Sequence, residues 1–247
     1  MTHIPHAVSA LERTLREIFG ARLQSVVQYG LHDTPTHEEH AVAGDHAHES
    51  ALIHTLAIVE TLTGADLNAC ARQVTGWHKE GLATPLLLVA HEFERSLDAF
   101  PFEFGSILAD HVLWSGRDPF EGLAIDPADL RRACEVQARS HLLHLREGYI
   151  ETGGNADGLA VLIVRSAAPF AALVRCVARL QTSGTHDATA AGRVVERALD
   201  IQPGSITDIV KLAGVREIPA AEAVRIVPGY LDAAERLTRF VDGWSGA

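Results

Sequence analysis

Two short β-branched segments held apart by a long polar stretch constrain this chain more than any other feature. Residues 25–30 read SVVQYG and residues 51–61 read ALIHTLAIVET. Both are rich in Val and Ile, which fit a pleated buried surface, and Gly30 closes the first. Between them lies LHDTPTHEEHAVAGDHAHES, which has no apolar period and carries His32, His37, His40, His46 and His48. A connection of that length between strands of a compact domain is usually functional or disordered.

The remaining segments of the first half alternate in type. A helix is expected over residues 5–19, with Val8, Leu11, Leu15, Ile18 and Phe19 on one face and Gly20 as its stop. After the second strand, Thr63 and Asp66 open a helix expected to run from Leu67 to Lys79. Leu86 to Ala90 is apolar throughout and reads as a central strand covered on both faces. His91 to Ser96 reads as a short helix, and the alternation in FPFEFGSI, residues 100–107, reads as another strand. The pattern to about residue 122 is that of an α/β domain with a small mixed sheet.

No strand pattern follows residue 122. Asp126-Pro127 is a helix start, and Leu130, Cys134, Ala138, Leu142, Leu145 and Tyr149 recur at helical spacing. A long apolar helix is expected over residues 158–180, kinked near Pro169, then a shorter one over 188–199 and a loose one over 206–213. The last is expected from Gly229 to Val241, after Pro228. The apolar 158–180 segment contains Arg165, Arg175 and Arg179. A central Arg costs roughly 2.5 kcal/mol or more in lipid, so this is read as a buried bundle helix and no membrane is expected.

The net charge of −11 argues against a nucleic-acid partner, which needs clustered Lys and Arg to neutralise phosphates. Cys70, Cys134 and Cys176 are far apart and lack a C-x-x-C spacing, so they read as small buried hydrophobes in a reduced compartment. The amphipathic N-terminus carries charges where a signal peptide would be apolar, and the expected location is cytoplasmic.

Several residues together resemble a family. Residues 25–30, 54–61, 85–89, 91–104 and 112–116 are similar to bacterial nucleotidyltransferase-domain proteins of the polymerase-β-like superfamily. The helical second half resembles the bundle that follows this domain in aminoglycoside-nucleotidyltransferase-like proteins. The resemblance implies an α+β fold, a small mixed-sheet nucleotidyltransferase-like domain over residues 1–122 followed by an antiparallel helical bundle over 123–247. Active members carry Gly-Ser after the first strand, Asp-x-Asp on the next, and a further carboxylate later. Carboxylates of that kind hold two divalent cations about 3.5–4 Å apart across the transferred phosphoryl group. Hard Mg²⁺ takes oxygen ligands, and a Gly-flanked backbone lets the chain approach an NTP closely.

This chain departs from that pattern. Gly30 fits the glycine, but Leu31 stands where the serine belongs, and Leu52 and His54 stand at the Asp-x-Asp positions. Glu103 fits the later carboxylate, and one carboxylate cannot hold two metals. The expectation is therefore a catalytically degenerate pseudoenzyme that binds a small molecule or a protein partner. The alternative is an active Mg²⁺-dependent transferase with a shifted site using Asp45, Glu49 or Glu103. A third reading is a metal-binding module, in which His37, His40, His46 and His48 hold Zn²⁺ or Ni²⁺. A homodimer through residues 100–104 is compatible with the pattern and not required by it.

His141 and His144, with Arg139 and Arg146, are expected on the polar face of the first bundle helix. Asp110-His111 is a further pair able to orient one another, with no nucleophile to serve.

Overall fold

A computed structural model describes residues 3–31, 52–182 and 187–244. The chain divides into two compact units, one ending at Ile125 and the other running from Asp126. The histidines of the polar stretch, with Asp45 and Glu49, lie outside the described residues.

The first unit opens with α1 (His3–Phe19), whose Ala7, Val8, Leu11, Leu15 and Phe19 are all buried at helical spacing. A single 3₁₀ turn, Gly20–Arg22, leads into β1 (Leu23–Tyr29). Then come β2 (His54–Val59), α2 (Gly64–Ala71), α3 (Val74–Lys79), β3 (Leu86–Val89), α4 (Ala90–Ala99), α5 (Pro101–Ala109) and β4 (His111–Gly116). The four strands form one sheet in the order β3-β2-β1-β4. β1 is antiparallel to both β2 and β4, while β2 and β3 are parallel, so the sheet is mixed.

Alternation along the strands divides the core into two layers. Val26, Ala57 and Val59 face α1, Cys70 of α2 and Trp77 of α3. Val27, Leu56 and Ile58 face Phe93 and Leu97 of α4 and Phe104 and Ile107 of α5. Phe93 makes edge contacts with Phe104 and Phe120, at centroid distances of 5.9 and 5.1 Å. α2 begins at a capping box in which Thr63 and Asp66 satisfy each other's backbone N–H groups. Asp66 also receives both Arg22 guanidinium nitrogens, each at 2.8 Å. That fork ties α2 to the start of β1.

Three expectations are corrected here. Residues 101–109 are helical: Pro101 takes the first helical position, and Pro101, Phe104, Gly105 and Ile107 supply the buried face. Three Phe residues two apart imitate a strand period, yet Phe104 is also three after Pro101 and three before Ile107. β3 is an edge strand, with Leu86 exposed and only Val89 fully buried. Its uniform apolarity reflects partial contact on each face rather than burial on both. The expected helix from Leu67 to Lys79 is two helices, separated at Arg72 and Gln73.

The second unit is helical throughout its described residues. α6 (Pro127–Glu151) starts at the Asp126 cap, whose carboxylate accepts from the Ala128 N–H at 2.7 Å. A turn at residues 152–155 folds α7 (Ala156–Gln181) back against it. α8 (Ala188–Ala198), α9 (Thr207–Val210) and α10 (Ala220–Gly243) follow. α6, α7 and α10 pack on one another around Leu142, Ile163, Phe170, Val174, Tyr230 and Leu237. α7 is the one described helix long and apolar enough to cross a membrane, and 61% of its most apolar window is buried inside the protein.

α10 begins nine residues before the expected Gly229 and runs through Pro228. Pro228 is exposed, and Val224, whose carbonyl loses its i+4 donor, is 51% exposed, so water can serve that carbonyl. The loop into α9 is gathered by buried Glu196. Its Oε1 accepts from the Gly204, Ile206 and Thr207 N–H groups at 3.1, 2.8 and 2.8 Å, and from the Thr207 hydroxyl at 3.1 Å.

The cysteines also differ from expectation. Cys134 of α6 and Cys176 of α7 form a disulfide, and only Cys70 is a free, buried thiol. Helix packing set their meeting, across a separation of 42 residues that no local spacing rule covers.

Candidate functional site

The sheet register brings two residues singled out in the sequence, His54 and His111, to one end of the sheet with Tyr29 between them. Tyr29, last on β1, pairs with His54, first on β2, and with His111, first on β4. Residues directly opposite in antiparallel pairs share a face, so His54, Tyr29 and His111 form one row across three strands. The Tyr29 and His54 rings are tilted against each other at 5.6 Å, and both residues are half-buried. This register could be anticipated only once both partner strands were known, and β4 was the strand that the sequence pattern did not declare.

Gly30 follows at φ +68°, a conformation that favours glycine. Its N–H donates to the Asp110 carbonyl at 3.0 Å, which closes the β1–β4 pair at this end. Leu31, in the expected serine position, is 42% exposed, and Leu52 is 44% exposed.

His111 is held on every side. Its Nδ1 lies 3.1 Å from the Ile107 carbonyl and 3.0 Å from that of Leu108, so the tautomer with a proton on Nδ1 satisfies the end of α5. Its Nε2 lies 3.5 Å from the Asp118 carboxylate, a contact that becomes a hydrogen bond only when Nε2 carries a proton as well, and its ring packs on Phe120 at 4.6 Å. Asp118 is itself fixed by accepting from the Phe120 N–H at 2.8 Å. The carboxylate that faces the His111 ring is that of Asp118.

Glu103 does not join this row. It sits in the first turn of α5 at an exposed position. The residue beside Gly30 across the β1–β4 pair is Asp110. The described residues contain no group of three or more His, Cys, Asp or Glu side chains able to hold a metal ion. A pair of Mg²⁺ ions needs several converging carboxylate oxygens, and the row offers a phenol and two imidazoles instead. These described residues do not fit the two-metal site that the resemblance implies. Their chemistry is hydrogen bonding and ring stacking.

In the second unit the four polar candidates on α6 separate. His144 is exposed beside Glu147, Arg139 pairs with Glu135 and Asp242, and Arg146 reaches Glu235 at 2.8 Å. His141 turns inward instead. Its Nε2 lies 2.9 Å from the Tyr230 hydroxyl, which donates to the Ser166 carbonyl at 3.2 Å, and its ring stacks on Phe170 at 5.1 Å. Because that hydroxyl gives its proton to Ser166, it accepts one from His141 Nε2. Burial first, and the nearby His144 second, push the His141 pKa down to about 4. Burial also pushes the Tyr230 phenol well above its ordinary range.

No family model matches the chain. No curated protein matches it either. Among solved structures it is similar to the spectinomycin adenyltransferase AAD(9) from Enterococcus faecialis, determined with ATP and spectinomycin. The TM-score is 0.55 at 13% sequence identity, over 94% of this chain and 98% of that one. The likeness defines the class of fold: a nucleotidyltransferase-like α+β domain followed by helices.

Proposed function

We propose that this chain is a nucleotidyltransferase-fold protein that binds a small molecule or a protein partner and does not transfer nucleotides. The observation that carries the reading is the His54–Tyr29–His111 row at the end of the sheet, with Leu31 and Leu52 beside it. Two-metal phosphoryl transfer rests on carboxylates at these places, and an imidazole, a phenol and two leucines cannot replace them as hard oxygen ligands. Gly30 adds support. Its N–H, a natural donor to a phosphate oxygen, is already committed to the Asp110 carbonyl.

Thermal unfolding of the tag-free chain with ATP, GTP, CTP and UTP, each with and without Mg²⁺, tests the reading. Spectinomycin and Zn²⁺ run beside them, and each NTP is also incubated with spectinomycin to follow transfer. We expect no Mg²⁺-dependent nucleotide shift and no transfer. A nucleotide at a hundred times its Kd stabilises the native state by about 2.7 kcal/mol, and a Mg²⁺-dependent shift of that kind would overturn the proposal. A Zn²⁺ shift abolished by His46→Ala with His48→Ala would reassign the protein to metal binding.

A further inference from the structure

The disulfide lies where its making and breaking are hardest. Cys134 is in the second turn of α6 and Cys176 is near the end of α7, so the bond closes the end of the hairpin away from the turn at residues 152–155. The two Cα atoms are 6.4 Å apart, within the span a disulfide bridges. Both residues are fully buried, among Leu130, Ala138 and the apolar face of α7. The third cysteine does not compete. Cys70 belongs to the first unit, and burial, then the charge of Asp66, pushes its thiol up and makes it a poor attacking group at neutral pH.

We propose that Cys134 and Cys176 form a shielded redox latch on the helical unit, closed once during folding and thereafter opened by reductant only when the α6–α7 hairpin opens. The oxidant is a small-molecule disulfide of the glutathione type. One cysteine thiolate attacks it, releasing one thiol and leaving a mixed disulfide; the second thiolate displaces the other half. Two protein S–H bonds are exchanged for one S–S bond, and both electrons and both protons leave on the two thiols released. Exchange needs an in-line approach to a sulfur, which full burial denies to any dissolved thiol. The folded chain therefore holds its oxidation state against its surroundings. The latch is independent of the binding function proposed above.

The test uses the full chain, unfolded in urea and refolded in a glutathione and glutathione-disulfide buffer. Maleimide-polymer labelling under denaturing conditions then counts free thiols on a gel. One adduct, at Cys70, is expected before reduction and three after reduction in urea. Native protein in millimolar dithiothreitol should stay at one adduct over a period in which the unfolded chain reaches three. Three adducts straight after refolding, or native reduction as fast as in urea, would overturn the latch. Once reduced, the chain should melt roughly 5–15 °C lower, given the loop-closure entropy restored to the unfolded state. Cys70→Ala should keep that fall, and Cys134→Ala with Cys176→Ala should lack it. The opposite assignment would refute the proposal even if the double variant folds poorly.

Discussion

His141 is a titratable ring in a place built for an uncharged one. Phe170 covers its face, Tyr230 accepts its one observed hydrogen bond, and its pKa stands at about 4 against an ordinary 6.5. The unfolded chain therefore takes up this proton before the folded chain does. The stability His141 contributes is complete above about pH 6.5, falls as pH drops toward 4, and is lost below that, a change of about 3 kcal/mol. Asp66 titrates in a lower window. Arg22, then Thr63, holds its carboxyl well below the usual range, so its contribution is intact above the ordinary carboxylate pKa and is lost only in stronger acid. Urea midpoints at pH 7.5 and pH 5 should thus differ in the parent chain and differ less in His141→Gln. Equal pH slopes in both would show that the ring is solvated. The sequence placed His141 on the polar face of α6 because its neighbours His144, Arg139 and Arg146 are there. The outward residues are correctly read by spacing, while the inward one needed Tyr230, some ninety residues away, to receive it.

At the scale of elements, the β1–β4 contact has the least tolerance. Gly116 ends β4 at φ +85°, and a Cβ there would stand 1.9 Å from the Gln24 carbonyl oxygen. Gly116→Ala should cost at least about 2 kcal/mol, through both the backbone conformation and the clash, and should perturb the near-UV signal of adjacent Trp114. A midpoint within a few tenths of a kcal/mol of the parent would mean that this edge pairing is not held. Elements with one dominant period were legible in the sequence: α1, β1, β2, α6, α7 and α8. Those that failed each carried two periods or a misleading breaker. α5 shows aromatic residues at a spacing of two within a helical face, β3 is apolar without being central, and α10 continues through a proline on its wet side. β4 escaped notice because its exposed Val112 and Leu113 give no alternation.

For the whole molecule, the fold is similar to that of a transferase, and the proposal that this chain no longer transfers nucleotides can be tested by putting carboxylates back. Leu52→Asp with His54→Asp writes Asp-x-Asp into the first residue of β2, which pairs with Tyr29, and the position two residues before it. This double variant should acquire a Mg²⁺-dependent thermal shift with ATP that the parent lacks. If none appears, these two side chains do not by themselves decide nucleotide binding, and the Gly30 N–H, committed to the Asp110 carbonyl, is the next group to vary. The parts of the site that were legible were those fixed by position along the chain, Gly30, Leu31, Leu52 and His54. What was not legible came from pairing across the sheet, which assembles the row itself.

The strand order has a consequence for how the protein is made. β1, one of the two inner strands, receives β2 after the polar stretch but must wait for β4, which begins about eighty residues after β1 ends. During synthesis the β1–β2 pair therefore stands with an open edge while α2 to α5 emerge. That edge carries unpaired N–H and C=O groups beside the apolar Val26 and Val27. Long-range pairing of this kind folds slowly, and for that interval the nascent chain is a template for any extended partner. A ribosome-bound fragment ending before β4 should accordingly aggregate or recruit chaperones, and one extended past Gly116 should not.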